Sequence, residues 1–367
     1  MNSFEEQIKS EITMCIMPFW MYKASDQQNG GYWGSVLANG FIDKNADKGG
    51  IFHARLLWSF SSAYECFRTE SYKEHAIRCY AFIASKLTSE TGLELVWSQT
   101  LGERFATHED YLVTQCYYLY AISKYEQVIS PHLGKSKKIF AHLENLFTEY
   151  LLKKGKAGEL WRGYLHMLEA VDAYLQVDPN NLSAQSVFSG LFERASQLLR
   201  TIDDEQISSL NWGRISATSW LLSTYYQAHS TLLSNMSIEP IAQSLRTKVA
   251  QEMEMQQQPG IPLCQLDSTR YGWVQAEAMV SLWFYAKDSL GHGRSNTLLK
   301  QWQFIRERIS DHQFGEWRIE ALKEDTQGST LEKAGFWKCP YHNLRACLTI
   351  YKELFASKTT LRETQCK

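Results

Sequence analysis

Six stretches place apolar residues at helical spacing, namely Ala54 to Phe67, Tyr111 to Tyr125, Tyr164 to Leu175, Ser219 to Leu232, Trp273 to Ala286 and Asn343 to Leu354. Strand-like alternation is scarce, so the chain is confined to an all-α fold. Breaks between the stretches carry Gly, Asn, Asp and Pro, as at Asp26-Gln-Gln-Asn-Gly-Gly31, Asp178-Pro-Asn-Asn181 and Gln258-Pro-Gly-Ile-Pro262. At about 25 to 30 residues per helix and connection, the 367 residues accommodate about twelve helices. Paired helices in that number suit a closed double ring. An open solenoid would carry a repeated unit of fixed period, and none is found. Short hairpins around Gly31-Tyr-Trp-Gly34 and Phe314-Gly-Glu-Trp317 are expected at the rim.

No Pro/Gly/Ser-rich linker interrupts the chain and 44% of its residues are hydrophobic, which predicts a single domain over residues 1–367. The 38 basic and 40 acidic residues form no long single-sign blocks, so there is no electrostatic basis for nucleic acid or a membrane surface as partner. A small molecule is the expected partner, with the protein a monomer or homodimer. Two acids stand near the N-terminus where a signal peptide would carry positive charge, and no apolar run approaches the roughly 18 residues that span a bilayer. A cytoplasmic location is expected. The eight cysteines are scattered without a Cys-x-x-Cys pair or zinc spacing, which predicts reduced thiols and no metal site. Aromatic residues make up 13% of the chain and fill the space between helix layers, or offer flat faces on which a sugar can stack.

Five blocks carry a more specific signal. They are Met17-Pro-Phe-Trp20 with Gly30-Gly-Tyr-Trp-Gly34, Lys48-Gly-Gly and Ala54-Arg-Leu-Leu-Trp-Ser-Phe60; Gln115 with Tyr120-Ala-Ile-Ser-Lys-Tyr125; Leu165-His-Met-Leu-Glu-Ala170; Trp212-Gly-Arg-Ile-Ser-Ala-Thr-Ser-Trp-Leu-Leu222; and Trp273-Val-Gln-Ala-Glu-Ala278 with the tail segment Lys333-Ala-Gly-Phe-Trp-Lys-Cys-Pro-Tyr-His342-Asn-Leu-Arg-Ala-Cys347. In this order and composition they resemble the N-acylglucosamine 2-epimerase and cellobiose 2-epimerase family. The resemblance implies an (α/α)6 barrel with short rim hairpins, whose inner helices surround a sugar pocket. It also implies epimerisation or aldose–ketose isomerisation by proton transfer next to a carbonyl, without a metal or organic cofactor. A base titrating near neutrality suits that chemistry, and donors must stabilise the enediolate.

Carried over by position, His342 matches one of two acid/base histidines, Arg55 a sugar-binding arginine and His166 a pocket histidine. Trp273 and Trp337 match wall tryptophans, and Gln115 is assigned to the ligand with them. His53, His75 and His108 lack motif support and are read as structural or exposed. The fourth block departs from the family pattern Gly-His-x-x-Glu, in which a histidine and a supporting carboxylate share one helix face. Arg214 and Ala217 occupy those places here. Deprotonating Arg214 near pH 7 would cost roughly 7 kcal/mol, so as a member of the catalytic set it can stabilise negative charge but cannot act as the base. Arg162 likewise stands where the family has an asparagine. Two permanent cations either reflect drift, solvated or paired to acids such as Glu169, or fit the pocket to an anionic ligand.

Three readings of function stay open on the residues alone. One is a sugar isomerase or epimerase with His342 as acid/base, and another is a dehydration or cyclisation on the same scaffold. The third is a non-catalytic carbohydrate-binding protein. A glycosidase-like carboxylate pair among Glu277, Glu316 and Glu320 is a weaker competitor, since no hydrolase signature accompanies them.

Overall fold

The computed structural model describes residues 3–153, 157–200, 211–256, 259–291, 295–322 and 331–365. Twelve α-helices lie among them: α1 (Phe4–Ser10), α2 (Gly50–Phe67), α3 (Glu70–Lys86), α4 (His108–Val128), α5 (Lys135–Leu151), α6 (Ala157–Leu175), α7 (Leu182–Arg200), α8 (Trp212–Ala228), α9 (Glu239–Met255), α10 (Gly272–Leu290), α11 (Asn296–Phe304) and α12 (Tyr341–Gln365). Each of the six apolar stretches falls on an even-numbered helix, the fourth overrunning the end of α8, and these six helices form the inner ring. α2 packs on α4, α4 on α6, α8 on α10, α10 on α12, and α12 returns to α2. At the remaining step side chains span from α6 to α8 and the turn beyond it: Trp161 Nε1–H donates to Thr218 Oγ1 at 2.9 Å, and His229 Nε2 lies 2.8 Å from Asp172 Oδ1.

Outer helices back this ring, α3 on α2, α5 on α4, α7 on α6, α9 on α8, α11 on α10 and α1 on α12. The two layers differ for a physical reason. In α2 every residue from Gly50 to Ala63 is buried, because the helix is covered all round. In α5 burial follows one stripe, Ile139, Phe140, Leu143, Phe147 and Tyr150, with charge on the opposite side. The result is the double-layered (α/α)6 barrel that the sequence predicts.

Local signals set the helix ends. Ser3 and Glu6 form a capping box at α1, and the Asn211 side chain accepts from the N–H groups of Gly213 and Arg214 to start α8. α8 ends at Ala228, short of the predicted Leu232: His229 caps the helix, and Leu233 is buried beneath the turn that follows. Of the expected breaks, Gln258 lies outside the described residues. Both rim hairpins are present, closed by antiparallel bridges between Ser25 and Tyr32 and between Ser310 and Trp317. A further ribbon pairs β1 (Val36–Leu37) with β2 (Glu332–Ala334). Seven cysteines carry free thiols, and Cys366 is outside the described residues. Among the described residues no helix is long and apolar enough to cross a membrane.

Because outer and inner helices alternate along the chain and each outer one runs back, the inner six share one direction. Their N-terminal ends gather at one end of the barrel. Each contributes cavity-lining residues from about its first three turns: Arg55 from α2, Tyr117 from α4, His166 from α6, Arg214 from α8, Trp273 from α10 and His342 from α12.

Candidate active site

These residues line a cavity of about 490 Å³, a size suited to a small molecule. Its chemical centre is a chain of charged groups running across three inner helices. On α12, His342 Nδ1 lies 2.7 Å from Glu277 Oε1 of α10. On α6, His166 Nδ1 lies 2.7 Å from Glu169 Oε2, one turn further along the same helix. Arg345 joins the two pairs, donating through Nη2 to Glu277 Oε1 at 2.6 Å and through Nη1 to Glu169 Oε1. Trp220 Nε1–H completes Glu277 at 3.0 Å and the Tyr341 hydroxyl completes Glu169 at 2.9 Å.

The electrostatics of this chain fix the histidine tautomers. Burial disfavours charge on both carboxylates, but Arg345 and the histidines outweigh it and hold Glu169 and Glu277 below the ordinary carboxylate range. An ionised carboxylate only accepts, so each Nδ1 carries the proton and each Nε2 keeps its lone pair. Burial is also the largest influence on the imidazoles. It lowers His342 to about 4 despite the opposing pull of Glu277, and it lowers His166 against Glu169. Both rings are therefore neutral at pH 7. His342 is enclosed by protein but open to the cavity, its side chain 22% exposed.

Aromatic rings and one glycine shape the walls. Trp273 lies against His342 with ring centres 5.5 Å apart, and Tyr117 against His166 at 5.0 Å. A Cβ on Gly213 would fall 2.2 Å from the Trp273 indole, so only glycine lets that ring close over the start of α8. Arg55 is buried, and its Nη2 donates to the Tyr117 hydroxyl at 2.7 Å. Trp337 stands half exposed at the mouth, in edge contact with Trp97 at 5.7 Å.

The cavity brings together His342, Arg214, Arg55, His166, Arg162, Trp273 and Trp337. Gln115 is a correction. Its amide clamps the Leu95 backbone, accepting from the N–H at 2.8 Å and donating to the C=O at 2.9 Å, so it braces a loop instead of meeting a ligand. Two residues on, Tyr117 faces the cavity in its place. Motif matching also passed over Arg345 and Trp161. Glu169, expected only as a counter-ion for Arg162 and Arg214, stands at the i+3 spacing that supports His166. His53 is structural: its Nε2 accepts from the Tyr32 N–H at 3.1 Å and its Nδ1–H donates to the Gly49 carbonyl at 2.9 Å.

The carboxylate-pair reading finds no support in this geometry. Glu277 is committed to His342 and Arg345, and Glu316 is buried among Lys338, Asn343 and Trp20, while Glu320 is not on the cavity wall. Away from the cavity the fold also brings Glu11, Cys15 and His312 together. Glu11 Oε1 already accepts from Ser310 Oγ and Trp317 Nε1, and burial raises the Cys15 thiol well above its ordinary value. These donors serve the packing of the N-terminal segment.

No family model matches the chain. It is 25% identical to the cellobiose 2-epimerase of Bacteroides fragilis over 388 aligned positions, covering 95% of this chain and 99% of that one. The solved cellobiose 2-epimerase of Bacillus thermoamylovorans B4167 superposes with a TM-score of 0.79 at 22% identity, over 96% of this chain and all of that one. These comparisons support the N-acylglucosamine 2-epimerase superfamily that the resemblance implied. A solved D-mannose isomerase shares the same fold, with a TM-score of 0.76 at 17% identity and 96% of this chain covered. The superfamily barrel thus accounts for the ring, and the polar chain described above is what this sequence places inside it.

Proposed function

We propose that this protein is an isomerase or epimerase of a sugar or sugar-like molecule, acting by proton transfer next to the carbonyl of the open-chain form. The observation that carries the reading is the pair of His–Glu dyads facing one cavity and joined through Arg345. Such an arrangement orients two neutral imidazoles and buffers the positive charge that either acquires. A dyad of this kind has no evident use in a purely structural barrel, where buried ion pairs add little net stability.

The steps follow from the tautomers. His342 Nε2 takes the proton from the carbon next to the carbonyl; the electron pair of the broken C–H bond forms the C=C bond and the carbonyl π pair moves onto oxygen, giving an enediolate. Glu277 holds the imidazolium that forms. Arg55 is the cation placed to stabilise the enediolate oxygens. Return of the proton to the neighbouring carbon by His342, with a proton shift between the two oxygens, gives the ketose. For the epimer, His166 takes a proton from solvent at Nε2, with Glu169 holding the imidazolium, and delivers it to the opposite face, while His342 releases the abstracted proton to solvent; both imidazoles end neutral. Arg214 takes no part as a base, in line with its guanidinium chemistry.

The test is product formation from a panel of neutral and acidic aldoses and ketoses. With an accepted substrate, His342→Ala should lower the rate by about a hundred- to ten-thousand-fold while the circular dichroism spectrum stays unchanged. A folded His342→Ala variant that retains the native rate would remove this residue from the chemistry.

A further inference from the structure

The cations on the cavity wall are not equally satisfied. Arg345 is held by Glu169 and Glu277, Lys338 by Glu316 at 2.8 Å, and Arg318 by Asp311 at 3.2 Å. Among the described residues the carboxylates that approach Arg162 are Glu109 and Asp110, at 3.8 and 4.0 Å, beyond hydrogen-bonding reach. The guanidinium of Arg214 has no hydrogen-bond or ion-pair partner among the described residues. Among the described residues Glu169 is the one carboxylate on the wall, and His166, Tyr341 and Arg345 already occupy it.

The placement of Arg214 sharpens the imbalance. It is the third residue of α8, within the first turn, where the helix presents its partial positive charge and a cation is disfavoured. Asn211 already caps the free N–H groups of that turn, so the helix end itself has no need of an anion. Burial and then the nearby charge of Arg162 disfavour the charge on Arg214, and Glu109 offsets them only in part. Two guanidinium groups are thus held near each other in a cavity, with Glu109 and Asp110 as nearby carboxylates that stop short of hydrogen-bonding distance to Arg162.

We infer that Arg162 and Arg214 form an oxyanion-binding subsite, and that the ligand of this cavity is a sugar or sugar-like molecule carrying a carboxylate, phosphate or sulfonate group. The planar forks of two arginines match such an anion, which would relieve their mutual repulsion. The inference rests on the reading of this cavity as the substrate site.

The experiment is calorimetric titration of the full chain with D-glucose, D-glucuronate and D-glucose 6-phosphate at low and high salt, with thermal melts in phosphate or sulfate against sodium chloride of equal ionic strength. One of the charged sugars should bind about ten- to hundredfold more tightly than glucose, with the advantage shrinking in salt. Arg214→Gln and Arg162→Gln should each lose most of it. Without ligand, Arg214→Gln should melt no lower than the native protein, because it removes a largely buried cation that Arg162 repels. Equal behaviour of charged and neutral sugars together with no phosphate or sulfate stabilisation would overturn the inference, as would a charge preference untouched by both substitutions. The two readings fail separately. His342→Ala should keep the charge preference, so loss of isomerisation with the preference intact sinks only the catalytic reading. His342-dependent isomerisation of neutral sugars without any preference sinks only the subsite.

Discussion

His342 owes its neutrality to burial, and this sets the pH range in which it can accept a proton. With its titration lowered from the ordinary 6.5 to about 4, the acid limb of kcat/KM for an accepted substrate should lie near pH 4. An acid limb near 6.5 would show an imidazole exposed to water. Glu277 pulls the titration upward, so Glu277→Gln should move the limb to still lower pH and slow the reaction at least about tenfold, since the amide holds the tautomer less firmly. The same shift bears on stability. The unfolded chain binds a proton at this histidine below about pH 6.5 while the folded chain does not, so the contribution of His342 is complete above that pH and is lost progressively as pH falls toward 4. His53 and His75, lowered to about 3 and about 4 chiefly by burial, add to the loss in the same direction.

At the scale of single elements, α4 shows how a helix can be located correctly and its working face misassigned. Gln115 and Tyr117 are two positions apart, about 200° around the helix, so they cannot both face the cavity. Gln115 spends its amide on the Leu95 backbone. Replacing it with alanine should therefore lower stability by about 1 to 3 kcal/mol in chemical denaturation and leave the KM of an accepted substrate unchanged. A raised KM at unchanged stability would return Gln115 to the ligand. The inner helices were legible because they are covered on all sides and so carry nearly continuous apolar runs. The outer helices α3, α5, α7 and α9 were not singled out, since the charge on their solvent faces dilutes the same signal. In the site, His342, His166 and Arg55 stood out within motifs. The partnership of His342 with Glu277 spans 65 residues of sequence, and the bridge through Arg345 exists only once α6, α10 and α12 meet.

For the whole molecule, the decisive property is that six parallel inner helices direct their N-terminal ends at one cavity. Each end carries partial positive charge, and together they favour negative charge there, whether an enediolate formed in the reaction or an anionic group brought by the ligand. Into this field the chain sets two neutral imidazoles supported by ionised glutamates. The protein should therefore labilise the proton next to a sugar carbonyl even where the equilibrium hides net conversion. The direct measurement is proton NMR of neutral and acidic sugars incubated with the protein in deuterated water. The native chain should exchange the C2 proton of at least one of them for deuterium, and His342→Ala should not. Full retention of the C2 proton across the panel, or equal exchange by the two proteins, would contradict the account.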